Sequence, residues 1–168
     1  MPRKSRWYWM AASITLLIAL GGFWLTNRPS ETERLFNQYF TPDPGLPTVM
    51  GEARNFQFLD AMVNYKSGQY KQAIEKWEVL LPQKPKNDTL NYFLGVTYLA
   101  NNDTQKAVKF LEETLEEKNS EFVDEANFYL GLAHLKLKNT TEAEVYLSKS
   151  QHKKVEEILE KLKNSTLK

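Results

Sequence analysis

The chain has 168 residues, of which 42% are hydrophobic and none is cysteine. The lack of cysteine excludes disulfides, thiolate metal sites, a cysteine nucleophile and lipidation through cysteine. The formal net charge of +1 is unevenly distributed, because residues 1–30 carry four basic and no acidic side chains while the rest carry 18 basic and 21 acidic ones. A slightly acidic main part argues against nucleic acid as a partner.

An apolar stretch without any charge occupies residues 7–25 and reads WYWMAASITLLIALGGFWL. About 20 apolar residues cross the hydrocarbon core of a bilayer as a helix, and aromatic side chains at both ends suit the two headgroup interfaces. Three basic residues precede the stretch, so the positive-inside rule places residues 1–6 in the cytoplasm and the rest of the chain across the membrane. The sequence therefore predicts a transmembrane signal anchor over residues 7–26. A signal peptide cleaved at Ala19-Leu20-Gly21 is the alternative, although the apolar run is longer than the usual stretch of about 7–15 residues.

Residues 27–53 combine an amphipathic helix with a proline-rich linker. Ser30 is the predicted N-cap, with Glu31 and Glu33 in the first turn, where the helix dipole favours anions. An apolar stripe at helical spacing runs to residue 40, and three prolines between residues 42 and 47 prevent the helix from continuing. The stripe fits either the membrane surface or the following domain, and the stiff linker favours docking on the domain.

Small residues then recur with a common period. Ala73, Ala107 and Ala143 are 34 and 36 residues apart. Two helices of a hairpin approach closely only where one side chain is nearly absent. A second small residue lies twelve positions before each alanine, and these residues are Ala61, Gly95 and Gly131. The two columns together predict three helical hairpins.

This period, close to the length of about 34 residues that is typical of the tetratricopeptide repeat (TPR), and the helix–turn–helix content resemble that family. Pro85 matches the proline that closes a repeat in the family. The resemblance implies an all-α fold in which three hairpins form a short right-handed superhelix. The expected repeats cover about residues 54–87, 88–121 and 124–150. An ordinary helical bundle whose small residues coincide by chance is the alternative.

The expected helices of the repeats have these bounds: 54–66, 70–81, 88–100, 104–117, 121–137 and 141–150. Asp88, Thr104 and either Thr140 or Thr141 stand where N-caps are wanted. Residues 151–168 then supply a capping helix, expected over 152–163, and a tail. Its apolar stripe would cover the open edge of the third hairpin, as terminal repeats require, and an exposed stripe is the alternative.

In TPR arrays the first helix of each repeat lines the concave surface, which implies a peptide-binding groove here. The groove positions of the family fall on Phe58, Met62, Tyr65, Tyr92, Val96, Leu99, Phe128, Leu132 and Leu135. Some members grip a carboxylate terminus with lysines and asparagines at such places, and this sequence departs from that pattern. It therefore favours an apolar or amphipathic peptide, which includes the chain's own helix over residues 35–40. Simple packing between helices is the alternative for each single position.

No constellation for catalysis, cofactor binding or metal binding is recognisable in the sequence, which indicates that the protein is not an enzyme. His134 stands where the preceding repeat has a tyrosine, so we expect it to pack between helices, and we expect His152 to be solvated. Pairs of glutamates near residues 112–117 read as a solvated helix face. Four Asn-x-Ser/Thr triplets, at Asn87, Asn102, Asn139 and Asn164, fit glycosylation, but three of them coincide with helix starts.

The lead-in LFNQYFTPDPG and the anchor resemble the short membrane-anchored repeat proteins common in Bacteroidetes-type bacteria. This resemblance implies a protein of the cell membrane and names no activity. Together with the basic residues before the apolar stretch and the repeats, it leads us to expect a single-pass protein of the bacterial inner membrane with an extracytoplasmic repeat domain that binds a protein or peptide. We expect a scaffold or assembly factor. An envelope chaperone or translocation accessory that holds apolar client segments is the alternative, and a cytosol-facing receptor would need the opposite orientation.

Overall fold

The computed structural model describes residues 29–48, 56–117 and 119–166, with residues 165 and 166 described by their backbone alone. The chain divides at Ser30 into two units, and every helix named below belongs to the second unit, residues 31–168. The described residues form eight helices and no strand, which confirms the all-helical prediction. These helices are α1 (Glu31–Tyr39), α2 (Phe56–Lys66), α3 (Tyr70–Glu78), α4 (Asp88–Ala100), α5 (Thr104–Glu116), α6 (Val123–Lys136), α7 (Thr140–Leu147) and α8 (Val155–Thr166).

Three antiparallel pairs, α2–α3, α4–α5 and α6–α7, stack in sequence order. Consecutive pairs contact each other through α3 with α4 and through α5 with α6, while α8 lies against α7. Each pair therefore buries its apolar face against a neighbour, as a stacked repeat does. The predicted transmembrane span over residues 7–26 lies outside the described residues. Within the described part of the chain, no helix is both long enough and apolar enough to cross a bilayer.

The small-residue columns lie where the helices of a pair meet. A Cβ atom built on Gly95 would lie 2.6 Å from Cγ of Leu111, and one built on Gly131 would lie 2.5 Å from Cγ of Leu147. Those distances are shorter than any real van der Waals contact, so only glycine permits this helix spacing. In the first pair the corresponding residue is Ala61, which is fully buried together with Trp77.

The helix caps differ from the prediction by one residue. The side chain of Asn87 accepts a hydrogen bond from the backbone N–H of Leu90 at 2.8 Å, and that of Asp103 accepts one from Lys106 at 3.3 Å. Predicted caps at Asp88 and Thr104 were therefore wrong, because the capping residue precedes the first helical residue and its side chain reaches two or three positions forward.

The third pair also departs from the prediction, since α7 begins at Thr140 after Asn139, whose side chain makes no capping bond. Its last turn ends at Leu147 instead of residue 150. In the first pair, α3 ends at Glu78, and residues 79–83 continue as turns, in which the backbone N–H of Leu80 donates to the Trp77 carbonyl. Pro82 prevents further helix there because it has no N–H to donate.

All three pairs turn through a residue in the left-handed region. The three positions are Gly68 with φ 73°, Asn102 with φ 66° and Lys138 with φ 64°. In each turn the following residue donates its backbone N–H to a carbonyl five positions earlier, for example Gln69 to Asn64 at 2.9 Å. This 6→1 bond belongs to the Schellman motif, which ends a helix by one left-handed residue.

Candidate protein-interaction groove

The predicted groove residues come from α2, α4 and α6, and the structure buries nearly all of them. Phe58 is half-buried, and each of the other eight is at most 4% exposed. They consequently do not form an open surface in this structure. Some of that burial comes from the neighbouring helices, and some comes from the chain's own amino-terminal segment.

We define the lead-in segment as residues 31–46, which comprise α1 and the extended stretch after it. Helix α1 lies against α6 and α8, and it buries Leu35, Phe36 and Tyr39 to within 5% exposure. The ring of Phe40 stands edge-on to that of Tyr129, with the centroids 6.1 Å apart. The apolar stripe of α1 thus faces the repeat domain.

Two lysines, one on α6 and one on α8, contact the buried aromatic side chains of α1. Lys136 Nζ lies 4.4 Å from the centre of the Phe36 ring, and Lys161 Nζ donates to the Tyr39 hydroxyl at 2.6 Å. A cation above an aromatic face contributes about 0.5–1 kcal/mol at an exposed site. Burial lowers the pKa of Lys136, and the nearby Glu33 of α1 opposes that change.

Three tyrosines, one from the first helix of each repeat, donate hydrogen bonds to the extended part of the lead-in segment. Tyr65 donates to the Asp43 carbonyl at 2.5 Å, and Tyr92 donates to the Asp43 carboxylate at 3.0 Å. Tyr129 donates to the Thr41 carbonyl at 2.9 Å. We call Tyr65, Tyr92 and Tyr129 the groove tyrosines. Two of their three acceptors are main-chain atoms, so this part of the contact does not depend on the side chains of the bound segment.

The groove tyrosines are protonated donors throughout the physiological range. Burial raises the pKa of Tyr65, Tyr92 and Tyr129 well above the usual value of 10.0, and the negative charge of Asp43 raises each of them further. A phenolate next to a carboxylate in a poorly solvated site would be repelled. The groove therefore presents hydroxyl donors that acceptor groups of a polypeptide can use.

Asp43 and Gly45 shape the chain for this contact. The other carboxylate oxygen of Asp43 accepts the backbone N–H of Gly45 at 2.7 Å, which closes an Asx-type turn. Gly45 has φ 81°, and a Cβ atom there would lie 2.8 Å from Sδ of Met62. Both the backbone conformation and the packing at this point consequently require glycine.

Sequence reasoning missed Asp43 and Tyr129. The Pro-Asp-Pro-Gly run by itself indicates only a stiff linker, and Tyr129 lies next to the predicted position Phe128. The three groove tyrosines stand at different distances from the small-residue column, four after Ala61, three before Gly95 and two before Gly131. A search for periodic columns could not group them.

Both histidines lie in aromatic stacks. His134 is 7% exposed and stacks on Tyr146 with centroids 5.3 Å apart, so it packs between helices as expected. His152 was expected to be solvated, and this was wrong. Its ring stacks on Phe128 at 3.8 Å, and its Nδ1 accepts the backbone N–H of Lys154 at 3.2 Å. The aromatic partner belongs to α6, far from His152 in the sequence, so the neighbouring residues gave no sign of it.

Comparison with known families identifies these repeats. A family model described as "Anaphase-promoting complex, cyclosome, subunit 3" matches residues 66–150, half of the chain. The chain belongs to this family. It is a TPR-like repeat family, which confirms the TPR-type repeat predicted from the small-residue columns.

The matched range of the anaphase-promoting complex subunit 3 family runs from the end of α2 to just beyond α7, so it includes Tyr92 and Tyr129 but neither the lead-in segment nor α8. A search of the curated proteins finds no match. A TPR-like repeat family supports a protein–protein interaction scaffold as the general class of function.

Proposed function

We propose that this protein is a membrane-anchored scaffold whose groove docks a segment of a protein partner, and that the lead-in segment occupies the groove in the absence of that partner. The observation that carries the proposal is the contact of the groove tyrosines with residues 41–43. A surface that already binds one extended segment through its main-chain carbonyls has the chemistry to bind another. Such binding would be an exchange between the chain's own segment and a segment of the partner.

The three hydroxyl hydrogen bonds contribute roughly 1 kcal/mol each, and the buried side chains Leu35, Phe36 and Tyr39 of α1 contribute roughly 1.5–3 kcal/mol each. A partner can therefore replace the segment only if it offers polar and apolar contacts of comparable extent. A tethered segment competes at a high effective concentration, however. A partner must therefore either bind tightly or contact further surface of the repeats.

A matched pair of glycine variants tests the exchange. Gly45→Ala places a Cβ atom against Met62 and strains a left-handed residue, whereas Gly68→Ala strains a left-handed residue with nothing within 4 Å. We expect Gly45→Ala to release the lead-in segment and Gly68→Ala to leave it bound. Faster trypsin cleavage after Arg34 reports the release.

Binding is then measured by fluorescence anisotropy with a labelled peptide that copies residues 31–48. The full-length Gly45→Ala protein should bind this peptide at least about tenfold more tightly than the wild type and Gly68→Ala, because about 1.4 kcal/mol of competition corresponds to a factor of ten. A peptide with the same residues in scrambled order is the control for composition. A Gly45→Ala protein that keeps its helical circular dichroism, is cleaved faster after Arg34 and still fails to bind would contradict the proposal.

The proposed location is the bacterial inner membrane, with the anchor over residues 7–26 and the repeat domain outside the cytoplasm. The uncharged apolar run and the basic residues before it support this proposal. Protease added to intact cells and to spheroplasts tests it: the domain should be digested only once the outer barrier is opened. Protection in spheroplasts would indicate the opposite orientation, that of a cytosol-facing receptor.

The chaperone alternative needs an exposed apolar strip to hold client chains. Eight of the nine predicted groove residues are at most 4% exposed with the lead-in segment in place, so this function would also depend on release of the segment. The peptide experiment separates the two functions, because a chaperone that holds apolar segments would bind the scrambled peptide, which keeps the apolar composition, as well as the ordered one.

A further inference from the structure

One contact between the lead-in segment and the groove depends on the identity of a side chain, the carboxylate of Asp43. Its Oδ2 accepts the Tyr92 hydroxyl at 3.0 Å, and its Oδ1 accepts the backbone N–H of Gly45 at 2.7 Å. Tyr92 is fully buried, so a residue without an acceptor at this place would leave its hydroxyl without this partner. A buried donor that loses its partner is costly. The groove therefore distinguishes this side chain from an apolar one.

Directed hydrogen bonds, and not a general attraction of opposite charges, hold the carboxylate. Burial raises the pKa of Tyr92 and Tyr129, and the negative charges of Asp43 and Glu125 raise it further. The surroundings thus already contain an acidic group, and the carboxylate relies on donors aimed at its two oxygens. Such bonds are about twice as strong for a charged acceptor as for a neutral one. A glutamate would keep the charge, but its longer side chain does not close the Asx-type turn to the residue two positions later.

The position of Gly45 adds a second requirement. A Cβ atom there would lie 2.8 Å from Sδ of Met62 and 3.3 Å from Cε1 of Tyr65. The ring of Tyr65 is held in place because its hydroxyl donates to the Asp43 carbonyl. The backbone at Gly45 also has φ 81°, where glycine carries no steric penalty. A segment that binds in the same way consequently needs glycine two residues after the aspartate.

The two neighbours of Gly45 differ in what they require. Pro44 is exposed, so the groove places no demand on its side chain. Leu46 is partly buried and packs against the hydrophobic core. Its carbonyl accepts a hydrogen bond from Lys66 Nζ at 3.4 Å, a contact that any residue type offers. The four positions together read as aspartate, any residue, glycine and an apolar residue.

We propose that the groove selects partner segments with the pattern Asp-x-Gly-apolar in extended conformation. The proposal rests on the exchange proposed above, because such a segment takes the place of the lead-in segment. Hydrogen bonds to main-chain carbonyls hold any polypeptide in the groove, whereas the carboxylate and the glycine decide which polypeptide is held. Specificity arises because a wrong segment leaves the Tyr92 hydroxyl unpaired or collides with Met62.

Fluorescence anisotropy with labelled peptides that copy residues 31–48 tests this selection. The protein is the full-length Gly45→Ala variant, in which the lead-in segment is expected to be released. We expect peptides with Asp43→Ala, Asp43→Glu or Gly45→Ala to bind at least about fivefold more weakly than the unchanged peptide. The matched control is the peptide with Gln38→Ala, a change at an exposed position, which should bind within about twofold of the unchanged one.

Two tyrosine variants of the same protein show whether the preference comes from Tyr92. Tyr92→Phe should weaken the unchanged peptide and reduce its advantage over the Asp43→Ala peptide at least about threefold, because contacting groups are energetically coupled. Tyr129→Phe is the matched control, since the acceptor of Tyr129 is the Thr41 main-chain carbonyl. It should weaken both peptides by the same factor. Circular dichroism checks that both variants keep their helices.

A measurement within the chain does not depend on release by Gly45→Ala. In the otherwise unchanged full-length protein, Asp43→Ala and Asp43→Glu should each speed trypsin cleavage after Arg34, and Gln38→Ala should not. Cleavage as slow in Asp43→Ala as in the wild type would mean that the carboxylate does not help to hold the segment, and the proposed selection would be wrong.

The outcomes separate this inference from the exchange on which it rests. Equal affinity of the unchanged and Asp43→Ala peptides would overturn the selection and leave the exchange intact, as would an Asp43 preference that is the same in the Tyr92→Phe and Tyr129→Phe proteins. No binding of any peptide to a protein whose lead-in segment is released would instead overturn the exchange itself.

Discussion

The second and third hairpins place different side chains in the same facing positions. In the second, Tyr98 of α4 stacks on Phe110 of α5 with centroids 5.5 Å apart and the ring planes at 2°. In the third, His134 of α6 stacks on Tyr146 of α7 at 5.3 Å and 9°. The two pairs have the same geometry, although only one of the two positions in each hairpin carries tyrosine.

The tyrosine of the stack lies on the first helix in the second hairpin and on the second helix in the third hairpin. Tyr98 donates to the carboxylate of Glu78 in the preceding repeat, and Tyr146 donates to the carboxylate of Glu112 in its own preceding repeat at 3.1 Å. Glu78 and Glu112 are 34 residues apart and occupy equivalent positions. Both repeats therefore have a tyrosine–glutamate hydrogen bond to the preceding repeat, although the tyrosine lies on the first helix in one repeat and on the second helix in the other.

The first hairpin shows the limit of this rule. Asn64 and Lys76 fill the same facing positions, and Lys76 donates to the Asn64 amide oxygen at 2.6 Å and pairs with Asp60 at 2.6 Å. No repeat precedes this hairpin among the described residues, and a partly buried polar pair replaces the aromatic stack. The residue types at the facing positions therefore vary with the side chains of the preceding repeat. The residue type at the small-residue position is instead fixed by the short distance between the two helices of a pair.

The largest expected effect comes from the small-residue position. Gly95→Ala and Gly131→Ala each place a methyl group within 2.6 Å of a leucine Cγ and about 3.1–3.2 Å from a backbone nitrogen. Overpacking of this kind costs roughly 1–3 kcal/mol, which exceeds the gain of about 1 kcal/mol from the higher helix propensity of alanine. We expect the free energy of unfolding in urea to fall in both variants.

Ala61→Gly is the matched control in the first hairpin. It should cost about 1 kcal/mol through helix propensity and about 0.8 kcal/mol more through the loss of a buried methyl group, because Ala61 is fully buried. If Gly95→Ala or Gly131→Ala were more stable than the wild type, the helices of those pairs would be free to separate, and the small-residue argument for the hairpins would fail.

The small-residue position was predictable from the sequence because the same helix–helix contact recurs in each repeat at a regular spacing along the chain. A close approach needs a small side chain wherever it occurs, so Gly95 and Gly131 form a visible column. Existence and order of the helices followed from the same period. Their ends did not, because cap geometry depends on one residue such as Asn87 and on which neighbour its side chain reaches.

The groove was only partly predictable for a different physical reason. Periodicity identified the helices that line it, but it could not show that residues 31–46 fill it. The contacts of Asp43 with Tyr65 and Tyr92 span 22 and 49 residues and follow no period. Their only local signal is Gly45 after Asp43, which is equally compatible with an ordinary turn.

A medium effect is expected at the hairpin turns, which use the same backbone conformation with different residues. The left-handed position holds Gly68, Asn102 and Lys138 in the three hairpins. A left-handed conformation costs roughly 1–2 kcal/mol for a residue with a Cβ atom, less for asparagine. We expect Lys138→Gly to raise the free energy of unfolding by about 1 kcal/mol, and Asn102→Gly to change it less, as measured by urea denaturation.

Glycine also increases the freedom of the unfolded chain, which reduces the gain in both variants equally. Asn102→Gly also removes the exposed hydrogen bond that Lys136 Nζ donates to the Asn102 side chain at 2.5 Å, so the difference between the two variants combines that loss with the cost of the left-handed lysine. Equal effects of the two substitutions would show that the third turn holds its conformation without strain, and the turns of the two hairpins would then be energetically alike.

The smallest expected effect is the pH dependence of the third hairpin, where histidine replaces the tyrosine of the second. Burial lowers the pKa of His134 below its ordinary value of 6.5, and the charges of Glu142 and Glu112 oppose that change only in part. The unfolded chain therefore binds a proton at His134 more readily than the folded one. Stability from the neutral ring is fully present above the ordinary pKa and is lost as the pH falls through it towards the lowered folded pKa.

His134→Phe keeps an aromatic ring on Tyr146 and removes the titrating group. Between pH 7.5 and 5.5 we expect the wild type to lose more stability in urea denaturation than this variant does. His152, whose pKa burial also lowers, is present in both proteins and cancels from the difference. A variant with the same pH slope as the wild type would mean that His134 is protonated equally in the folded and unfolded states. The stack on Tyr146 would then tolerate a charged ring, as the stack of the second hairpin tolerates the ammonium group of Lys106, 4.8 Å from the centre of the Tyr98 ring.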